Sequence, residues 1–123
     1  MDIRHDRQTV GAWGEETAAR YLQSHGWTIL DRNWRCPFGE LDIVAFDPLR
    51  DAIVAVEVKT RRSASHGFPE EAVTARKIDR MRSAFVAWLK KNRRRAAHLA
   101  LDVIAITAHS ASDFRLNHVK DVA

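Results

Sequence analysis

Two short segments, Gly39-Glu40-Leu41-Asp42-Ile43-Val44 and Val54-Ala55-Val56-Glu57-Val58-Lys59, constrain this chain more than any other part of it. Both are rich in β-branched and aliphatic residues and read as strands. Strand side chains alternate faces, so Glu40 and Asp42 share one face, Glu57 and Lys59 share one face, and Leu41 and Ile43 point the other way. Between the segments, Asp47-Pro48-Leu49-Arg50-Asp51 supplies turn residues, which predicts an antiparallel hairpin. With residues 48–51 as the loop, Phe46 pairs with Ile53, Asp42 falls opposite Glu57, and Glu40 falls opposite Lys59. Like charges directly opposite in a sheet are destabilising, and carboxylates with aliphatic flanks also lose hydration. A divalent cation would resolve the conflict.

The chain has 123 residues, enough for one domain with a real core, so a single domain over 1–123 is expected. Its apolar runs, such as Leu99 to Thr107 with Asp102 inside it, fall short of the ~20 residues of a membrane span. The opening Met1-Asp2-Ile3-Arg4-His5-Asp6 lacks the apolar stretch of a secretory signal. The single cysteine, Cys36, rules out an intrachain disulfide and suits the reducing cytoplasm. The six histidines are scattered without metal-ligand spacing, which argues against zinc.

The formal charge of +4 hides an asymmetry. Residues 59 to 95 carry twelve basic side chains against three acidic ones, whereas the remainder carries eight against thirteen. Arginine outnumbers lysine fifteen to five, favouring bidentate contacts with phosphate oxygens. A basic half joined to a carboxylate-bearing half points to a polyanion, with nucleic acid as the expected partner. A solvated basic helix face is the alternative.

Periodicity predicts a helix over 9–25, with Val10, Trp13, Tyr21 and Leu22 at helical spacing and Gly26 closing it. In that helix Glu15 shares its phase with Ala18 and Leu22 and faces inward, while Glu16 pairs with Arg20 on the solvent side. A strand over 27–31, a loop over 33–39 containing Pro37, and the hairpin strands at 39–47 and 52–60 follow. Next come a basic loop from Thr60 to Gly67 and a helix capped by Thr74 that runs to Lys91 with Ile78, Met81, Phe85, Trp88 and Leu89 inward. Leu99–Thr107 reads as a central strand and Phe114–Val119 as an edge strand. The order α-β-β-β-α-β-β describes an α/β domain with a mixed central sheet flanked by helices.

Glu15, Asp42, Glu57 and Lys59 are therefore expected to converge. Their hard oxygen donors suit Mg²⁺ or Mn²⁺. Asp42, a hairpin turn and then Glu57-Val58-Lys59 form the pattern of the PD-(D/E)XK nuclease superfamily. The chain as a whole resembles the YraN-like bacterial family, related to archaeal Holliday junction resolvases. The resemblance rests on Gly14-Glu15, Ala18-Ala19-Arg20-Tyr21-Leu22, Gly26-Trp27, Arg32-Asn33-Trp34-Arg35, Gly39 to Val44, Val56 to Arg61, Lys77 and Asp102-Val103-Ile104-Ala105. It implies a restriction-endonuclease-like fold, nuclease activity on DNA, branched DNA included, and, by analogy, a homodimer. Leu41 departs from the superfamily's proline. Ala100 stands where the family usually has an arginine, so an arginine partner for Asp102 is missing at that position.

In the expected site, Asp42 and Glu57, with the Val58 carbonyl, hold the metal ion, and Glu15 completes its shell or steers Lys59. Lys59 orients or deprotonates the attacking water. Arg61, Arg62, Arg76, Lys77 and Arg80 contact the nucleic-acid backbone. Quieter roles compete with these: Glu40 bridging to Lys59, Lys77 as a snorkelling surface lysine, and Trp34 in the core rather than stacked on a base. Cys36 carries no catalytic expectation. The competing function is a non-catalytic nucleic-acid-binding module on the same fold.

Overall fold

The computed structural model describes residues 7–62 and 73–123. The elements are α1 (Arg7–Ser24), β1 (Thr28–Cys36), β2 (Gly39–Asp47), β3 (Ala52–Arg61), α2 (Ala75–Asn92), β4 (His98–Ser110) and β5 (Asp113–Val119), in the expected order. They build a five-stranded sheet in sequence order, β1 to β5. Neighbours are antiparallel except β3 and β4, which run parallel. A parallel pair needs a crossover, and the crossover here contains α2. One core lies between the sheet and α1, built on Ala18, Leu22, Ile43, Val54, Val56, Ile104 and Ile106. The other lies between the sheet and α2, built on Leu41, Val44, Ala55, Met81, Phe85 and Trp88. This is the mixed α/β, restriction-endonuclease-like arrangement.

Helix ends follow local chemistry. The Thr74 side chain accepts the Lys77 backbone N–H at 3.3 Å and starts α2. Arg93, in left-handed conformation, closes it through N–H bonds to Leu89 and Lys90 carbonyls. At the end of α1, Gly26 takes φ +85°, a conformation that suits glycine, and Trp27 N–H returns to the Leu22 carbonyl.

Three expectations are corrected. The loop placed at 33–39 is mostly strand: β1 continues to Cys36 and pairs with β2 down to Cys36–Gly39. Alternation is the signal for such a strand, and it is interrupted twice, by a register shift between Ile29 and Asp31 and by Asn33 at φ +51°. Leu41 and Ile43 do not share a face either; Leu41 packs toward α2 and Ile43 toward α1. The loop expected from Thr60 begins later, because Thr60 and Arg61 complete β3; its residues from Ser63 to Gly67 lie outside the described residues.

Two fully buried carboxylates stand on the α1 side of the sheet. Asp47 is 1% exposed and Asp102 0%. Arg50 answers both, donating to Asp47 at 2.6 Å and to the two Asp102 oxygens at 2.6 and 3.1 Å. His118 Nε2 lies 2.8 Å from Asp102, its Nδ1 lies 3.0 Å from the Tyr21 hydroxyl, and the Asp121 backbone N–H donates to Asp102 at 3.0 Å. The cation that residue 100 does not provide thus comes from the β2–β3 turn.

Candidate active site

The β2–β3 register is the expected one, with Phe46 opposite Ile53, and its pairs run from Asp47–Ala52 to Ile43–Val56. Beyond that point the ladder stops. The Val58 N–H, which a continued ladder would direct at a β2 carbonyl, is taken instead by the Asp42 carboxylate at 2.8 Å. Asp42 therefore sits in the fork between the parting strands. Glu57, Lys59 and Arg61 alternate with Val56 and Val58, which are buried toward α1, so these three side chains face the α2 side. β3 stays anchored throughout, since Glu57, Lys59 and Arg61 lie opposite Val103, Ala105 and Thr107 of β4.

α1 closes the third side. A β-carbon on Gly14 would lie 1.9 Å from the Thr60 hydroxyl oxygen, so the helix approaches β3 at a distance only glycine permits. That contact sets Glu15 beside the fork, with the Asn33 side chain as a polar neighbour, and Asp42 and Glu57 feel its charge. Glu16 lies outside, pairing with Arg20 at 3.2 Å and Arg32 at 2.9 Å.

Electrostatics mark the pair Asp42 and Glu57. Burial first, then the Glu57 charge, push the Asp42 carboxyl up to about 8, against the pull of the Val58 N–H. Burial also raises Glu57, opposed by the charges of Lys77 and Lys59 and reinforced by Glu40 and Glu15. Burial and the neighbouring cations Lys77 and Arg61 lower Lys59 more than Glu57 and Asp42 raise it. Two carboxylates this close hold a proton at neutral pH unless a cation replaces it. Their oxygen donors fit a hard divalent ion. Among the described residues no three His, Cys, Asp or Glu side chains gather closely enough to ligate one ion. A cation here would rest on Asp42 and Glu57 with water completing its shell, and Glu15 would act on it through charge.

Of the other expected residues, Arg62, Arg76, Lys77 and Arg80 are exposed and Arg61 is partly buried, and the charges of Lys77 and Arg61 act on the site. α2 passes over the start of β2, because a β-carbon on Gly39 would lie 3.8 Å from the Arg80 β-carbon. Glu40 does not bridge to Lys59; its carboxylate meets Arg35 across the β1–β2 hairpin at 3.6 Å. Trp34 and Cys36 pack, half-buried, against the α2-side core. Two features were not anticipated from the sequence. Asn33, a polar neighbour of Glu15, carries no pattern of its own. Lys77 faces Glu57 and Lys59 rather than bulk solvent alone, and a signal for that was present: it lies four, seven, eight and eleven residues before the buried Met81, Ala84, Phe85 and Trp88.

Several relatives resemble this chain over nearly its whole length. A sequence from Beutenbergia cavernae is 41% identical over 116 residues, covering 94% of this chain and 97% of its own length. Others from Rhodococcus opacus and Syntrophomonas wolfei are each 44% identical, covering 91% and 89% of this chain and 93% of their own lengths. All three are named as UPF0102 proteins. The model of the uncharacterised protein family UPF0102 matches residues 14–106, from the glycine that lets α1 meet β3 through the whole α2 crossover into β4. By that match and by these relatives, the chain belongs to the UPF0102 family.

Proposed function

We propose that this protein is a divalent-cation-dependent nuclease that hydrolyses phosphodiester bonds in DNA, with branched DNA as the first substrate class to test. One observation carries the reading: two half-buried carboxylates, Asp42 and Glu57, share the fork of β2 and β3 with a lysine two residues beyond. A structural role would pair such carboxylates with a cation in the fold, as Arg50 does for Asp47 and Asp102.

Asp42 and Glu57 would hold Mg²⁺ or Mn²⁺, which when bound supplies positive charge beside the scissile phosphate and acidifies water. Lys59, on the same strand face as Glu57, is the group suited to orient the attacking water and offset charge in the transition state. Glu15 adds negative charge beside Asp42 and Glu57 from the α1 side. Arg62, Arg76 and Arg80 bind the flanking backbone as phosphate ligands. A cytoplasmic location belongs to the proposal, supported by the single cysteine. Among the described residues no helix is long and apolar enough to cross a membrane.

The test is cleavage of branched, flapped and linear DNA with Mg²⁺ or Mn²⁺, wild type beside Glu57→Gln. Cleavage that requires both the ion and Glu57 supports the reading. Tight binding without cleavage of any substrate replaces it with the non-catalytic binding module.

A further inference from the structure

The α2 face of the fork holds more positive charge than a metal–water site requires. Lys59 and Arg61 project there from β3, on the same strand face as Glu57. Lys77 comes down on them from the first turn of α2, in phase with the buried stripe of that helix. The Arg61 Nε is buried and has no hydrogen-bond partner among the described residues. A buried guanidinium N–H without an acceptor is costly and rare. Three converging cations and an orphan donor are together the complement of an oxyanion.

We propose that Lys59, Arg61 and Lys77 form a phosphate subsite, distinct from the metal-holding carboxylates, that takes a phosphodiester group adjoining the scissile one. Arg61 Nε–H is the directional donor, and Lys59 from β3 and Lys77 from α2 supply charge. The choice of a nucleic-acid phosphate rests on the nuclease reading, but binding of a free oxyanion does not. Loading the carboxylates with a divalent ion removes the negative charge that Lys77 faces at Glu57, so ion and phosphate should reinforce each other's binding.

Inorganic phosphate is the probe, titrated into the metal-free full chain in chelator, with the Arg61 Nε–H resonance followed by NMR against chloride at matched ionic strength. Disappearance of that resonance in Arg61→Lys assigns it. The expected result is a saturable shift with phosphate alone, weakened about tenfold in Lys77→Gln, as for removal of one charge-assisted hydrogen bond, and largely restored in Lys77→Arg. An Arg61 signal indifferent to phosphate, or shifted equally in wild type and folded Lys77→Gln, overturns the subsite. Phosphate binding in a protein that cleaves nothing removes the nuclease reading and leaves the subsite. Cleavage without a phosphate response does the reverse.

Discussion

At the scale of single residues, two ways of burying a carboxylate stand side by side in one sheet. Asp42 has a backbone N–H and another carboxylate for company, and its acid form is favoured up to about pH 8. A folded-state value above the unfolded one means that the folded chain binds more protons, so stability falls as pH rises through that interval. The metal-free protein should therefore melt at lower temperature at pH 8 than at pH 6, and Mg²⁺ should remove much of the difference. Asp42→Asn keeps the shape, deletes the repulsion and should raise the melting temperature in chelator while abolishing the Mg²⁺ response. A melt of that variant well below wild type in chelator would make Asp42 a structural residue.

Asp47 and Asp102 behave oppositely. Burial alone would raise both, but Arg50, with His118 at Asp102, more than offsets it and holds them below the usual value of 3.8. Their stabilisation is complete above that value and is lost as pH falls through the depressed folded values. Arg50→Met leaves buried Asp47 without a cation and Asp102 with only His118 and the Asp121 N–H, and should cost about 3–5 kcal/mol at neutral pH. It should also invert the pH dependence, since the unpaired carboxyls would then be stabler protonated. Urea denaturation at pH 5 and pH 7 reads both effects.

Between elements, the decisive approach is that of α1 to β3 at Gly14 and Thr60. Gly14→Ala must shift the helix or the threonine, at a cost of about 1–3 kcal/mol, and it displaces Glu15 from the fork. Adding Thr60→Ala, which removes the nearest atom, should recover most of that stability in urea denaturation. At this scale the sequence was readable wherever periodicity was clean. The phase of Met81, Phe85 and Trp88 placed α2 to within a residue, and the turn residues around Pro48 set the hairpin register. It was unreadable where a strand broke its own alternation, at Asn33 and at Asp42. Both irregularities flank the site, because a carboxylate can enter the gap between strands only where the ladder gives way. The convergence of Glu57 with Lys59 was legible from spacing two; the approach of Asn33 and Arg50 depends on tertiary contacts that no local pattern encodes.

Over the whole molecule, α2 separates two basic regions. Its 18 residues span about 27 Å at about 1.5 Å each, from Arg76 and Lys77 beside the fork to Lys90, Lys91 and Arg93–Arg95 at the far end. That length corresponds to about 8 base pairs at about 3.4 Å per step. If a duplex follows the helix, replacing Arg93, Arg94 and Arg95 by Gln should weaken binding of long duplexes. It should also flatten the dependence of log K on log salt by about 0.9 for each phosphate no longer neutralised. Binding of a duplex shorter than about 8 base pairs, seated at the fork, should change little. Fluorescence anisotropy over a salt series with both lengths checks this, and equal weakening of both would show that the arginines do not extend the track.

The clasp around Asp102 also governs the order in which a nascent chain can complete its fold. Arg50, made early, cannot be locked in place until Asp102 and then His118 and Asp121 have been made, and Val122 N–H closes onto the Leu101 carbonyl at 2.8 Å. On the ribosome β1, β2 and β3 can pair as soon as they emerge, with Arg50 already on Asp47, but buried Asp102 lacks its remaining hydrogen-bond partners until His118 and Asp121 follow. The closing step of folding therefore waits for residues far downstream of the hairpin it secures. Nascent chains halted before His118 should be cut by proteases as unfinished, while chains that extend past Val122 resist them.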